Sequence, residues 1–530
     1  MKTNKPLLVL SLVTILLFSC HRGSGEETKG GAPAPGVPAG NDSVGPGTTV
    51  TTMDRFIGAN AFIDDPVDKL AAVGFIREYH NWAWDEGDGA SNYPGFPNNQ
   101  IKFAPSYPGW SFDDFYQGLK QNNVQVAPCL QGSVNWLPHS GDYNSDNKPL
   151  DAIGADPTSP YSYYAKANHL YQFAARYGSV KVPDANLLLA AGQPRLSGLN
   201  YLNYIEDWNE QDKNWSGRDA EFLPEEYAAM ASADYDGHCN TLNKFGKQYG
   251  IKNADPSLKL VMGGLSNVDI NYIKRMKSWF EANRKDKQFA ADVLNFHIYA
   301  FKDGQSWQGG GPALSPEDAR FKEKLAAVVA YRDQNLPGKE VWVSEFGWDT
   351  NPQSVLAPPP IGSMDMQEIQ AIWLVRAYLA FAAAGVDRAQ MYMSRDYDPN
   401  NKTWFSSTGL MGPKGDFTPK KSWYYVYTLK NVLTNMHFMG SQNSTDPNVL
   451  VYKFKDVASS KGVYVVWAKT SKDYKVPGYT LSIPAAKSAQ LTSLVPGSNQ
   501  GTTQSLTISQ GTVHFDVSEK PVFLQTDAIN

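Results

Sequence analysis

From residue 54 onward the chain alternates short apolar runs with longer segments whose apolar positions recur every three or four residues. The first pattern predicts buried strands and the second amphipathic helices. Strands are expected at 56–62, 74–79, 124–129, 204–208, 258–263, 293–299, 341–346 and 388–393. Helices are expected at 112–122, 161–177, 225–245, 271–283, 315–335 and 365–385, with a last one at 421–432. The first connection, 64–72, is short. Eight strands, each followed by a helix, predict an α/β fold of the (β/α)8 TIM-barrel type. A doubly wound open sheet alternates in the same way, but no Gly-rich phosphate loop follows any early strand. Long insertions at 81–111 and 131–160 follow strands two and three. In a barrel they sit on the carboxyl-terminal face, where sites are built.

The pattern changes near residue 438. Alternating runs at 449–454, 462–467, 480–483, 489–494, 504–508 and 512–517 are separated by turn clusters. They predict a small antiparallel β-sandwich. The chain thus divides into a barrel at 51–437 and a β-sandwich accessory domain at 438–530. The second part has few loop tryptophans, which favours a structural accessory over a carbohydrate-binding module.

The amino-terminal end stands apart. Lys2 and Lys5 precede an apolar run at 6–18 that is too short to span a bilayer comfortably. It ends Leu17-Phe18-Ser19-Cys20, which resembles the lipobox of bacterial lipoproteins. The resemblance implies a lipoprotein signal peptide at 1–20 and acylation of Cys20; an ordinary signal peptide cut near Ser19 is the alternative. His21 stands where inner-membrane retention signals carry Asp, and Glu26 and Glu27 loosely resemble acidic surface-export tags. Residues 21–50 are rich in Gly, Pro, Ala, Ser and Thr, too poor in large apolar side chains to offset ordering entropy, and read as a flexible linker. The expectation is a chain exported across the inner membrane and lipid-anchored to the outer membrane, exposed at the cell surface.

Composition narrows the chemistry. The net charge of −5, with no basic block, argues against a nucleic-acid partner. Cys129 and Cys239 have no metal-site or disulfide spacing, and Cys129 reads as a buried thiol. Asp234 and Asp236 lack the spacing of a calcium loop, so no metal site is expected. The chain holds 14 Trp and 28 Tyr. Many tryptophans fall in loops: Trp82, Trp84, Trp110, Trp136, Trp215, Trp307, Trp348 and Trp404. Aromatic rings on loops suit a flat, partly apolar ligand such as the C–H face of a sugar.

Two carboxylates stand at ends of expected strands, Glu210 in Trp208-Asn209-Glu210 and Glu345 in Val343-Ser344-Glu345-Phe346. Such a pair, held on rigid strands facing one cup, suits glycoside hydrolysis: one carboxyl protonates the leaving oxygen and the other acts at the anomeric carbon. Glu206 and Asp207 are rivals for the acid role. By alternation Glu206 and Trp208 share the side of Glu210, deeper in the barrel, while Asp207 faces the helices. Glu78 and Asp349 are further candidates for sugar contact.

Asn209-Glu210 on strand four and Glu345 on strand seven resemble the signature of glycoside hydrolase clan A. The Arg-x-x-His stretch at Arg77 to His80 and the trailing β-sandwich make the chain similar to family 39 members. The resemblance implies Glu210 as acid/base and Glu345 as nucleophile, without a cofactor. It also implies Arg77 and Tyr299 beside Glu345, Asn209 on the sugar 2-hydroxyl, and His297 in the strand-six His-x-Tyr. His80, Trp136, Trp348 and Trp404 are the further residues expected to touch substrate. Glu210 is expected to titrate above the usual carboxylate range, and the carboxyls to lie about 5–5.5 Å apart. Many clan members end strand eight in Trp, whereas here the end reads Met391-Tyr392-Met393-Ser394-Arg395, so Trp404 or Arg395 is expected to take over. The functions left open are endo-acting hydrolysis of a β-linked polysaccharide or oligosaccharide, exo-action, transglycosylation, and non-catalytic glycan binding by a lipoprotein.

Overall fold

A computed structural model of the chain describes residues 51–86, 111–189, 193–302 and 311–530. The signal segment at 1–20, Cys20, the linker at 21–50, Trp110, Trp307 and most of the 81–111 insertion lie outside the described residues. Among the described residues no helix is long and apolar enough to cross a membrane.

Eight parallel strands close into a barrel in sequence order. They are β1 Ile57–Ala61, β2 Phe75–Asn81, β3 Gln125–Gln131, β4 Tyr204–Asn209, β5 Lys259–Gly264, β6 Val293–His297, β7 Glu340–Glu345 and β8 Arg388–Met391. Closure is a direct pairing of β1 with β8, Ala59 opposite Met391. The sequence pattern anticipates all eight. The helices differ at their ends. The connection at 64–72 holds a single turn, Val67–Leu70. The helix expected at 315–335 starts at Phe321. The one expected at 225–245 ends at Asn240 and leaves helical dihedrals from Asp236, because Gly237, His238 and Cys239 turn to positive φ.

Inside the barrel, period-two alternation stacks side chains in layers. Phe75, Ala127, Tyr204, Val261, Val293 and Trp342 form an apolar floor. Arg388 lies over it, its guanidinium carbon 4.7 Å from the Phe75 ring centre and 5.1 Å from that of Tyr204. The layer above is polar: Asn60, Arg77, Glu206, Asn295 and Ser344 are all buried. Two departures from alternation shape its upper edge. On β7 the register to β6 shifts between Phe296 and His297, so that Val343 faces Phe296 but Glu345 faces His297. This bulge inserts one residue and brings Glu345 to the same side as Trp342, which strict alternation forbids. On β4, Trp208 has φ 88° and Glu210 φ 47°. Trp208 therefore turns outward, against Phe222 at 5.7 Å, and Asn209 enters the barrel instead. The expected sharing of a side by Glu206 and Trp208 is corrected accordingly.

Eight further strands follow, β9 Met436–Gln442, β10 Val449–Asp456, β11 Gly462–Ala468, β12 Lys475–Ser482, β13 Ala489–Ser493, β14 Thr502–Leu506, β15 Thr512–Ser518 and β16 Val522–Thr526. They form a six-stranded antiparallel sheet, β14-β13-β16-β11-β10-β9, and a two-stranded ladder, β12-β15. Apolar side chains of both close a small sandwich core around Val451, Val466, Leu481 and Phe515. β9 and β16 were not expected. β16 reads Val-Phe-Leu-Gln-Thr, with Phe523 in the core shared with the barrel and Leu524 in the sandwich core, and a strand covered on both faces loses the alternation by which strands are recognised. The other face of the large sheet joins the barrel: Tyr452, Phe454, Val465, Trp467 and Phe523 belong to the same core as the barrel helices. Arg376 of the helix Met366–Ala384 donates to Glu317 and to the Thr470 carbonyl at 3.0 Å.

Candidate active site

The carboxyl-terminal mouth of the barrel gathers five of the expected residues: Arg77, Asn209, Glu210, His297 and Glu345, with Tyr299 at the rim. Arg77 is the hub. Its Nε and Nη2 donate to Glu206 at 2.6 and 2.9 Å, Nη1 to Glu345 Oε1 at 2.8 Å and to Asn60 Oδ1 at 3.0 Å, and Nη2 to Asn209 Oδ1 at 2.8 Å. A guanidinium with every donor taken has one orientation, which fixes Glu345 and Asn209 in turn. Glu206 also accepts from Asn295 Nδ2 at 3.0 Å and the Gly264 amide at 3.1 Å. Spent on these four bonds and fully buried, it is unavailable as an acid. Asp207 faces the helices, bound to Lys166 at 2.9 Å.

Both oxygens of Glu345 are held. Oε1 accepts from Arg77 and from the Tyr79 hydroxyl, and Oε2 accepts from the Tyr299 hydroxyl at 2.9 Å. The His297 ring spans the two candidate carboxylates, with Nδ1 3.0 Å from Glu210 Oε1 and Nε2 3.5 Å from Glu345 Oε1. Single ligand atoms of Glu210, His297 and Glu345 lie within 4.8 Å of one another. Burial pushes the imidazole down, but the Glu345 and Glu210 charges outweigh this and hold it above its usual value. Burial likewise pushes Glu210 up, yet the hydrogen bond and charge of His297, followed by Lys213 and Arg77, bring it below the usual carboxylate range. The expected upward shift of Glu210 is therefore corrected for the free protein, because the His297 hydrogen bond and the charges around it exceed the effect of burial. The Glu210 side chain remains 26 % exposed and that of Glu345 8 %.

The remaining expected contacts part company with the cup. His80 is buried on the helix side, between Asp85 at 2.9 Å and Glu78 at 3.3 Å. Alternation explains it: with Arg77 inward, Glu78 and His80 must face outward. Trp348 is buried against Phe321 and Trp373, its Nε1 donating to the Leu314 carbonyl. Trp136 packs edge-on against Trp82 at 5.5 Å. Trp404 stacks on Phe405 at 4.9 Å, and Phe405 meets Tyr299 at 4.7 Å, so Trp404 joins the rim through one intervening ring. Asp349 is no sugar contact either. Its buried carboxylate accepts from the Phe405 and Ser407 amides at 2.9 and 2.8 Å and so anchors that aromatic loop. Arg395 turns away to Asp64 and Asp65 at 2.8 and 2.5 Å.

Sequence reasoning missed Tyr79, Asn60 and Tyr392. The same alternation that removes His80 places Tyr79 beside Arg77, and that signal was present. The Tyr392 ring, at the strand-eight end, lies 6.2 Å from Tyr79 and 5.5 Å from Phe405. It occupies the rim where Trp404 or Arg395 was expected to substitute.

Among the described residues, two groups have the donor set for a metal ion, Glu210-His297-Glu345 and Asp236-Cys239-Asp286. In the first, Arg77 already pairs with Glu345 at 2.8 Å and His297 Nδ1 is taken by Glu210 at 3.0 Å. In the second, Arg284 bridges both carboxylates at 2.8 Å. Neither presents free anionic ligands to a cation. Asp234 pairs with Lys166 at 3.8 Å, leaving no calcium loop. Cys129 and Cys239 are unpaired thiols.

No protein-family model and no curated protein matches the chain. Solved structures do. A family 39 glycoside hydrolase from the gut symbiont Bacteroides cellulosilyticus WH2 superposes with a TM-score of 0.58 at 16% identity, over 90% of this chain and 81% of that one. The catalytic domain of the GH30 xylanase C from Talaromyces cellulolyticus gives 0.54 at 13% identity, over 91% and 98%. An α-L-arabinofuranosidase from Thermotoga maritima gives 0.52 at 11%, over 90% and 98%. Identities this low establish architecture and leave chemistry to the residues. The chain has the fold of the clan A glycoside hydrolases, a closed eight-stranded parallel barrel with a β-sandwich at its carboxyl end.

Proposed function

We propose that the chain is a retaining glycoside hydrolase that cleaves β-linked glycans internally, with Glu345 as nucleophile and Glu210 as acid/base. The observation that carries this reading is the approach of Glu210 and Glu345 within 4.8 Å across His297. Retaining enzymes hold their carboxyls about 5–5.5 Å apart, and inverting ones about 6.5–9.5 Å to admit a water. Glu345 attacks the anomeric carbon while Glu210 protonates the departing oxygen. Water then attacks the glycosyl ester, Glu210 takes its proton, and the electron pair returns to Glu345. The lowered titration of Glu210 in the free protein fits this cycle. A sugar lying over its exposed edge removes water and favours the protonated form needed for donation. The solved structures of like fold are named as a family 39 glycoside hydrolase, a xylanase and an arabinofuranosidase, which supports the reaction class.

Internal cleavage is supported by the loop after β4. Lys213 and Ser216 both reach Asp146 of the β3 loop at 3.3 Å, fixing a turn that carries Trp215 with 60 % of its surface exposed. An indole held out on the side of the acid/base suits a chain that continues past the scissile bond. The amino-terminal lipobox-like segment supports anchoring to the outer membrane through Cys20, where a long glycan is met outside the cell.

Proton NMR of the first product decides the stereochemistry: retention at the anomeric carbon supports the reading, inversion removes it. Glu345→Gln is expected to abolish hydrolysis across a panel of xylans, mixed-linkage glucans and arabinans, whereas unchanged turnover would remove Glu345 as the nucleophile, and no turnover by the parent on any of them would leave a glycan-binding role. Cys20→Ala is expected to move the protein from the membrane fraction to the soluble one.

A further inference from the structure

The two oxygens of Glu345 are not equivalent. Oε1 carries Arg77 Nη1 at 2.8 Å and the Tyr79 hydroxyl, with His297 Nε2 3.5 Å away. Oε2 carries only the Tyr299 hydroxyl at 2.9 Å. A carboxylate oxygen has two in-plane acceptor sites. Those of Oε1 are filled, while Oε2 keeps one free. Tyr79 does not depend on Glu345 for its place. Its ring is stacked on Phe62 at 6.0 Å, meets Tyr392 edge-on at 6.2 Å and lies 4.7 Å from the Arg77 guanidinium carbon. The hydroxyl is thus a donor fixed by the packing of its own ring, the condition under which a hydrogen bond stabilises charge without reorganising.

We propose that Tyr79 is a positioning residue that, with Arg77, holds Oε1 of Glu345 as the spectator oxygen, so that the nucleophile attacks through Oε2. This rests on the reading of Glu345 as nucleophile. In the first step an Oε2 lone pair forms the bond to the anomeric carbon, and the glycosidic C–O bond breaks with its electrons going to the oxygen that Glu210 protonates. Oε1 is then the ester carbonyl oxygen and keeps both donors. In the second step water bonds to the anomeric carbon, Glu210 accepts its proton, and the C–Oε2 bond breaks. The returning negative charge spreads onto Oε1, where Arg77 and Tyr79 already point. Tyr79 therefore orients the carboxylate for attack and assists its departure, a part that Tyr299, on the other oxygen, does not play.

Tyr79→Phe keeps the packed ring and removes only the donor. With an activated aryl glycoside, kcat is expected to fall about 10- to 100-fold with KM unchanged or lower, because the glycosyl ester accumulates when its breakdown slows. A larger pre-steady-state burst than the parent's, and slower reactivation of enzyme trapped by a 2-deoxy-2-fluoro glycoside, are the matching signs. A crystal structure of the trapped ester is expected to show the ester oxygen beside Tyr299 and the carbonyl oxygen beside Arg77 and Tyr79. A merely structural role would lower the melting temperature and raise KM without changing the burst. A kcat within two-fold of the parent, or an ester formed through the oxygen facing Arg77, overturns the proposal. Trapping that labels a residue other than Glu345 overturns the nucleophile assignment itself and is told apart by peptide mass mapping.

Discussion

Nδ1 of His297 is hydrogen-bonded to Oε1 of Glu210 at 3.0 Å. The bond ties the ring to the carboxyl proposed as the acid, and it sets the direction in which Glu210 is shifted. Burial favours the acid form of Glu210, and the hydrogen bond and charge of His297 outweigh it in favour of the carboxylate.

Removing the His297 ring is expected to raise the pKa of Glu210. In a pH profile of kcat/KM the basic limb reports loss of the proton from the acid, so in His297→Gln it moves to higher pH. Rates lower throughout are also expected, since Glu345 loses a neighbour. A basic limb that stays in place or moves down would mean that the limb belongs to another group.

Arg77 lies between two carboxylates, and its structural and chemical parts separate by mutation. Arg77→Met leaves Glu206 buried without its cation, and breaking a buried pair from one side costs about 3–5 kcal/mol. Arg77→Met with Glu206→Met replaces both charges by apolar volume and is expected to regain most of that stability in denaturant unfolding. It should regain none of the hydrolytic activity, because Glu345 and Asn209 still lack their partner. Recovered activity in the double variant would show that Arg77 acts on Glu206 alone.

The barrel was legible because eight buried strands and their amphipathic helices each bear a local period, and the strand-end carboxylates could be located on it. What escaped lay where geometry breaks the period. The β7 bulge that turns Glu345 inward and the positive φ of Trp208 that admits Asn209 come from tertiary pairing. The histidine residue type suggests a sugar contact at His80, but Arg77, three strand positions away and facing inward, puts His80 on the outer side. Trp348 and Trp136 were counted as platforms because sequence places a tryptophan in a loop without saying whether the loop folds over it.

Among the described residues, Trp215 is the loop tryptophan left most exposed, at 60 %. If it supports sugars beyond the scissile bond, Trp215→Ala should lower kcat/KM on a polysaccharide about ten-fold, since contacts to an aromatic face contribute on the order of 1 kcal/mol beyond the area they bury. Hydrolysis of an aryl glycoside, which has no sugar there, should stay within two-fold. Equal losses on both substrates would place the indole's role elsewhere.

Behind β2, two histidines share Asp85: His80 at 2.9 Å and His169 at 2.8 Å. Their shifts oppose. For His80, burial is outweighed by Asp85 and Glu78, and its pKa is raised to about 10; for His169, burial prevails and lowers it to about 4. Between an unfolded value of about 6.5 and 10, native His80 holds a proton that the unfolded chain has lost. Its contribution to stability is therefore complete below 6.5 and is lost as pH rises through 10. His169 acts on the other flank: between 4 and 6.5 the unfolded chain binds the extra proton, so stability falls as pH drops toward 4. Burial also pushes Glu86 to about 8, Asp151 to about 7 and Asp387 to about 6. These tilt the whole curve, so the signal is the difference between parent and variant. In denaturant melts from pH 4 to 10, the destabilisation caused by His80→Gln should shrink on the alkaline side, where the parent has lost the same stabilisation. That caused by His169→Gln should shrink on the acid side. Differences independent of pH in both variants would mean that the Asp85 cluster holds its protons equally in the folded and unfolded chain.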